Sequence, residues 1–580
     1  MRTVRITTGF LLLLIIAFLA LAARCFYLQH FRSEFYTARC FAQQRSTSPL
    51  SPRRGTILDS RGRVLAASNR ILVVKAEPQI IKNPDAVATK LSPIVEMDPH
   101  EIRDLIIRSR NPGYAKIKAG LDFDQCARAG RIHGVGVDSE WVRDYPMGGL
   151  TVHVVGFASR DNRGLEGLEL WYDKLLRGSS AQSTYLTDVK RRRVRLEAEQ
   201  GILTDGVGII LTLDATIQQF VRDELVKQYE KYQAEAAVAI VAEPKTGEIL
   251  AMVSLPDFDP IDVGATDPND FRSRAITDWF EPGSIIKPVV VAIALDAGAV
   301  NKDETIFCEN GSYSGRGFGT ISEYRNGFGA LALREVLIKS SNIGMAKIGQ
   351  KLGKERLHDG LNRFGFGKKT GIELPGERDG LLWPVSKWTG YSETRVPFGQ
   401  EICVTAMQMV RAFCILANGG RLVHPYLVEA IVHSDGTVQD VKRPPTIGYI
   451  IKPEVAKWVV SDALAGVVNE GTGKRAMLEK WQVFGKTGTA NIAIKNERRY
   501  SEDDYIASFI CGAPADDPEI VVLVSIHKPN KKLGLGYTGG VVASPVAAKI
   551  IEKTLTYREK LNGQRYAARQ NEHGALSKSN

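Results

Sequence analysis

Three short groups of residues in this 580-residue chain could carry out nucleophilic chemistry. The first is Ser284 and Lys287 in "WFEPGSIIKP" (279–288), directly ahead of the apolar run "VVVAIALDAGAV". Pro282-Gly283 breaks the preceding segment, and Pro288 fits a helix only in its first turn, so Ser284 is expected to open a helix. Residues three apart share a helix face, which sets the hydroxyl beside the amine. The helix dipole and apolar surroundings both disfavour an ammonium there, and a neutral amine beside a serine makes it an activated nucleophile. The second group is Ser340-Ser341-Asn342, at the start of the helical pattern in "KSSNIGMAKIGQ". The third is Lys486-Thr487-Gly488-Thr489 in "FGKTGTA". Each has a bland reading when isolated, and Ser340 and Asn342 could simply be helix caps. Ser525 and Lys528 repeat the first spacing in a strand pattern, where i and i+3 face opposite sides. Lys245-Thr246-Gly247 repeats the third spacing but reads as a hairpin turn. "FGKT" resembles the end of a phosphate-binding loop, yet Lys480 stands where the first glycine is required. The order S-x-x-K, S-x-N, K-T-G at domain-like spacing is what points to an active serine.

Several elements must position these groups. "VGIILTLDATIQQFVRDELVKQYEKY" reads as a strand passing into a helix capped by Asp214. "AAVAIVAEPKTGEILAMVS" reads as two apolar strands joined by a tight turn. "EIVVLVSIHKP" reads as a third buried strand, and "SPVAAKIIEKTLTYREKL" as a late amphipathic helix. The Ser/Pro/Arg-rich segment at 45–55 reads as a loop leading into a separate region that includes the basic run "KRRRVR" (190–195).

The length calls for two or more domains. A hydrophobic content of 44% and a charged content of 24% are those of a globular protein. The net charge of +11 is spread along the chain, which suits an anionic polymer or membrane surface and equally a solvated basic face. Seven cysteines show no metal-ligand or disulfide spacing and read as buried free thiols. At the N-terminus, Arg2 and Arg5 precede an apolar stretch that continues through Leu28. It is long enough to span a bilayer, with Arg24 snorkelling and Tyr27 at the interface. The competing reading is a secretory signal cleaved after Ala20-Leu21-Ala22. Lipid attachment at Cys25 is disfavoured by Arg24, where such signals carry a small residue. Both readings place the remainder outside the cytoplasm.

With these motifs in hand, the chain resembles the class B penicillin-binding proteins, membrane-anchored peptidoglycan D,D-transpeptidases. "RGTILDSRGRVLA" (54–66) and "GLEGLELWYDKLLRG" (164–178) are similar to signatures of the family's N-terminal module. "TLDATIQ", "EPGSIIKP", "SSNIG", "TGIELPGE", "PFGQEICVTAMQ", "GKTGTA" and "SFICGAPADDPEIVVLV" look like segments of its transpeptidase domain. Departures are Ile285 and Ile286 in place of a Thr-containing pair, Ser60 where Arg is common, and Asn491 where Gln is common.

The resemblance implies an α/β fold: an antiparallel sheet with flanking helices plus a helical subdomain, and an elongated α+β pedestal. The implied divisions are a cytoplasmic N-terminus (1–8), a transmembrane anchor (9–29), the pedestal (45–205), the transpeptidase domain (206–560) and a loose polar tail (561–580). It also implies that Ser284 attacks a D-Ala-D-Ala stem peptide and expels D-Ala. Lys287 would take the hydroxyl proton, Ser340 would relay it, and Asn342 would hold Lys287 and the peptide amide. Lys486 would keep the pocket positive, and Thr487 and Thr489, with Gly488 between them, would bind the substrate carboxylate. The backbone N–H groups of Ser284 and Thr489 would form the oxyanion hole. An amine from a neighbouring strand would complete the cross-link. No metal or organic cofactor and no nucleic-acid partner are expected. β-Lactams are expected inhibitors, and a SEDS-family membrane glycosyltransferase and other cell-wall or division proteins are expected partners. The Ser-Ser-Asn triplet favours a septal over an elongation role. A D,D-carboxypeptidase, a β-lactamase and a non-catalytic β-lactam sensor are the alternatives.

Overall fold

The computed structural model describes residues 2–187, 193–324, 327–441, 443, 448–494 and 499–576; for 2–3, 41–50, 182–187, 193–200, 493 and 564–576 it describes the backbone only. The chain forms two compact units that are discontinuous in sequence. One comprises 1–53, 69–142 and 178–206, and the other 54–68, 143–177 and 207–580. Both N-terminal signature segments fall largely in the unit that carries the three motifs.

In the first unit, helix α1 (Arg2–His30) is uninterrupted, and its Val4–His30 stretch is long and apolar enough to cross a membrane, a property a signal sequence shares. Helices Pro84–Val95 and Pro99–Ile107 each begin with a capped proline, Asn83 and Asp98 accepting backbone N–H groups. They bury Leu91, Val95, Ile102 and Ile106 with Ile117. A separate antiparallel sheet joins Arg45–Leu50, Ala181–Thr187 and Arg193–Gln200. In the basic run, 190–192 lie outside the described residues, and 193–195 begin the last of these strands.

The second unit is built on a five-stranded antiparallel sheet. Asp214 caps helix α2 (Ala215–Lys231) as expected, accepting from Thr216 N. Strands β1 (Ala236–Ala242) and β2 (Ile249–Leu255) form the anticipated hairpin. Helix α3 (Lys287–Asp296) follows the Ser284 turn, α4 (Asn342–Leu352) follows the Ser-Ser-Asn triplet, and α5 (Ala406–Ala417) is buried along its whole length. Strands β3 (Phe484–Ala493), β4 (Tyr500–Ala513) and β5 (Ile520–His527) complete the sheet, ordered β2-β1-β5-β4-β3, before α6 (Ser544–Leu576). Alternate strand residues serve two cores. Ala237, Ala239, Val241, Val522 and Val524 pack with α2 and α6, while Val238, Ile240, Val521 and Leu523 join the cluster containing α3 and α5. With helices on both faces the strands have no solvent side, so they read as continuous apolar runs. β3 is one edge of the sheet.

Two expectations change. The loose tail from 561 meets a helix whose backbone continues to Leu576, with 577–580 outside the described residues. Cys25 and Cys40 are exposed, whereas Cys126, Cys308, Cys414 and Cys511 are buried thiols. Beside Ser60, Arg61 and Arg63 make ion pairs to Asp214, at 3.2 and 2.6 Å.

Candidate active site

The helix does not begin as an α-helix at Ser284. Residues Gly283–Ile286 form one 3-10 turn, and α-geometry starts at Lys287. Gly283 and Gly399 both have positive φ, and Gly283 N donates to Gly399 O at 3.1 Å. A Cβ on Gly399 would lie 2.2 Å from Gly283 O, so this approach requires glycine. On the opposite side the turn lies against the edge strand, where a Cβ on Gly488 would come within 2.9 Å of Ile285 Cγ2. Ile285 and Ile286 are fully buried, which explains an apolar pair at those positions. Ser284 is half-buried and lines a cleft of 490 Å³. Among the described residues its Oγ has no hydrogen-bond partner, which leaves the hydroxyl free to face the cleft.

Lys287 and Lys486 are both fully buried. Lys287 Nζ reaches Ser340 O at 2.7 Å, Asn342 Oδ1 at 2.8 Å and Ser340 Oγ at 3.2 Å. Lys486 Nζ reaches the same Ser340 Oγ at 3.0 Å and Thr487 O at 3.2 Å. Burial lowers the Lys287 amine to about 7, partly opposed by Glu323. Burial and the charge of Lys287 hold Lys486 well below the ordinary lysine range. Two ammonium groups on one hydroxyl repel each other, and the pair titrates as a unit. The three oxygens around Lys287 are acceptors that an ammonium would use.

The cap role weighed for Ser340 and Asn342 belongs to Ser341, whose Oγ accepts from Gly344 N at 2.9 Å. That leaves the two flanking side chains to face Lys287. Ser340 sits at φ +59, a costly conformation for a residue with a Cβ. Glu323 secures the triplet: its carboxylate accepts from Ser341 Oγ at 2.5 Å, Asn342 N at 2.8 Å and Ile343 N at 3.2 Å. No motif marked Glu323, because its role depends on a loop meeting the N-terminus of α4.

On the edge strand, Thr487 Oγ1 and Thr472 Oγ1 are 2.6 Å apart. Thr489 Oγ1 accepts from Gly539 N at 3.2 Å, which leaves its proton available for a ligand. Ser284, Ser340, Asn342, Thr487 and Thr489 line one cleft, with Lys287 and Lys486 buried behind Ser340. Thr472, Glu281 and Tyr500 also line it, and sequence reasoning missed all three. The decoy motifs lie elsewhere. Ser525 is buried and bonded to Ser508 Oγ at 3.0 Å, and Lys528 pairs with Glu235. Lys245 pairs with Asp517 at the hairpin turn, and Gly247 is at φ +89.

Residues 237–552 match the family described as the penicillin binding protein transpeptidase domain, and residues 49–206 match the penicillin-binding protein dimerisation domain. This chain belongs to the penicillin-binding-protein transpeptidase family. It is 35% identical to stage V sporulation protein D of Bacillus subtilis, over 95% of this chain and 86% of that one. It is 32% identical to the probable peptidoglycan D,D-transpeptidase PenA of Neisseria meningitidis, over 94% and 91%. A peptidoglycan synthetase structure from Bifidobacterium adolescentis superposes with a TM-score of 0.71 at 25% identity, covering 89% of this chain and 97% of that one. Membership places the motif-bearing unit among serine transpeptidases and the N-terminal module among dimerisation domains.

Proposed function

We propose that this protein is a peptidoglycan D,D-transpeptidase that works through an acyl-enzyme on Ser284. The observation that carries this reading is the convergence of two buried lysines on the Ser340 hydroxyl, beside a serine held against an edge strand. The donor peptide lies along β3, its terminal carboxylate bound by the Thr487 and Thr489 hydroxyls. That anion stabilises positive charge on Lys486 and draws the shared proton away from Lys287. The freed amine takes the Ser284 proton as Oγ attacks the scissile carbonyl. Backbone N–H groups of Ser284 and Thr489 meet the oxyanion; alternate N–H groups of an edge strand point away from the ladder and are free to do so. Ser340 passes the proton to the leaving D-Ala amine, and Asn342 keeps Lys287 in register. An acceptor amine then replaces D-Ala, and the reverse proton path restores Ser284. β-Lactams offer a strained amide to the same nucleophile.

Incubation with a D-Ala-D-Ala stem peptide, with and without an acceptor amine, tests the reaction type. Amide-linked product that requires the acceptor is expected. Free tetrapeptide acid regardless of acceptor would identify a carboxypeptidase, and a stable β-lactam adduct with no peptide turnover would identify a sensor.

We further propose that α1 remains as a single-pass anchor in the cytoplasmic membrane, with the catalytic unit outside the cytoplasm. The support is Arg2 and Arg5 ahead of an apolar helix that continues past Ala22. Asn342 at the third position of the triplet favours septal wall synthesis alongside a SEDS-family polymerase. Sequencing of the mature N-terminus is expected to show the uncleaved end, and the tagged full chain is expected at the division septum with that polymerase. A start at Ala23 overturns the anchor, and an even lateral distribution transfers the protein to elongation.

A further inference from the structure

The Ser-Ser-Asn triplet sits where one helix ends and another begins. The helix Leu333–Ile338 closes with Ser341 N donating to Val336 O at 3.0 Å and Ser340 N donating to Leu337 O at 3.2 Å. This pair of bonds is a helix stop whose left-handed position glycine usually fills, and here Ser340 fills it at φ +59. Only from that backbone does Ser340 turn both its carbonyl and its hydroxyl to Lys287, with Asn342 Oδ1 beside them. A residue with a Cβ leaves the left-handed region unless its surroundings hold it there. The hold comes from the end of a short hairpin, in which Ser312–Gly315 pairs with Gly319–Ser322. Ser322 O accepts from Asn342 Nδ2 at 3.2 Å, which turns the amide oxygen toward Lys287. The half-buried Glu323 carboxylate accepts Ser341 Oγ and Ile343 N on Oε1 and Asn342 N on Oε2. Bonds to a charged acceptor are the strong ones, and a carboxylate at the first turn of α4 also meets the positive end of the helix dipole.

We infer that Glu323 is a positioning residue for acylation, fixing the backbone of the triplet so that Ser340 and Asn342 hold the Lys287 amine where it serves Ser284. The inference rests on the acyl-enzyme reading of Ser284 and Lys287. Glu323 acts through Ser340 and Asn342: its oxygens are taken up by the residues after Ser340, and the acceptors that reach Lys287 belong to the triplet itself. Without the carboxylate, Ser341 and the first turn of α4 lose their common acceptor. Ser340 is then held from the side of Leu333–Ile338 only, and its carbonyl and hydroxyl withdraw from the amine. The charge of Glu323 works in the opposite sense. It favours the ammonium form of Lys287, so losing the charge alone would leave more neutral base near pH 7 and speed acylation. A slower reaction therefore reports placement rather than charge.

Acylation of the full chain by labelled penicillin tests this at about pH 9, above the Lys287 value of about 7, so that the amine is neutral with or without Glu323. The reaction is resolved into the dissociation constant of the first complex and the rate constant for bond formation within it. Glu323→Ala is expected to slow bond formation by about a hundredfold, the scale of a misplaced catalytic group, with the dissociation constant within about twofold of the parent. Glu323→Gln keeps a single amide oxygen for three donors and is expected to fall between the parent and Glu323→Ala. Labelling carried to completion is expected to reach the parent level, which separates slow chemistry from unfolded protein. In a Lys287→Ala background, Glu323→Ala is expected to cost less than about threefold more, because the amine it positions is gone. If Glu323→Ala does not fold, Glu323→Gln carries the same comparisons. Bond formation at close to the parent rate in the folded variants overturns the inference, as does an undiminished loss on top of Lys287→Ala. A weakened first complex with unchanged bond formation also overturns it and makes Glu323 a ligand contact. All three of these outcomes leave the acyl-enzyme reading intact, whereas absence of a Ser284 adduct in the parent overturns both.

Discussion

Ser284→Ala is expected to abolish covalent attachment of labelled penicillin, lowering acylation by about ten-thousand-fold or more, because on the proposed reading the ester forms on Ser284 Oγ. The fold should not register the change. The substitution removes one oxygen from a half-buried side chain that has no hydrogen-bond partner among the described residues. Thermal unfolding is therefore expected to remain within about 0.5 kcal/mol of the parent. The competing serines are distinguished by their surroundings. Ser525 is fully buried against Ser508, with no path to a ligand. Ser340 already lies between two lysines and would make a poor leaving site for the acyl group. Peptide mapping of the parent adduct is decisive: a penicilloyl group on Ser340 or Ser525 would remove Ser284 from the mechanism.

The second large effect belongs to Lys287 and carries a pH signature. Its amine is held at about 7, against an ordinary lysine near 10.4. That fall corresponds to roughly 5 kcal/mol of lost charge stabilisation, which the rest of the fold must offset. In the proposed mechanism the neutral amine is the base, so acylation is expected to rise as pH increases through about 7 and to fall on the acid side. The inflection belongs to the coupled Lys287–Lys486 pair rather than to one residue. Stability follows the same sign. Between about 7 and 10.4 the unfolded chain binds more protons than the native one, so stability gains with rising pH across that window and the gain is lost as pH falls to 7. Lys287→Arg places a permanent cation at the site. It is expected to lower acylation about a thousand-fold and to erase the inflection. Because a guanidinium is larger than the buried pocket it would enter, Lys287→Ala provides a second measurement, with circular dichroism confirming the fold. Acylation by Lys287→Arg at close to the parent rate would show that a cation suffices and would remove Lys287 as the base.

Much of this protein was legible in residue order alone. Motif spacing picked out Ser284, Lys287, Ser340, Asn342, Lys486, Thr487 and Thr489, because their chemistry resides in side-chain type and their order along the chain is unambiguous. Local elements were legible for the same reason: Asp214 caps its helix from two residues away, and the hairpin of β1 and β2 turns at Lys245-Thr246-Gly247. Other features depend on contacts between residues far apart in sequence, which local pattern does not encode. Glu323 caps α4 from a loop, Gly399 presses on Gly283 from more than a hundred residues away, and Tyr500 meets Glu281 across the cleft. The assignment of the cap to Ser341 rather than its neighbours was open in the sequence, since all three side chains can accept an N–H; the backbone at Ser340, at φ +59, decides it. The setting of the two amines was not legible either. A lysine in a first helical turn suggests a perturbed amine, but only the packed structure brings two buried lysines onto a single hydroxyl, where burial lowers both amines and the charge of Lys287 lowers Lys486 further.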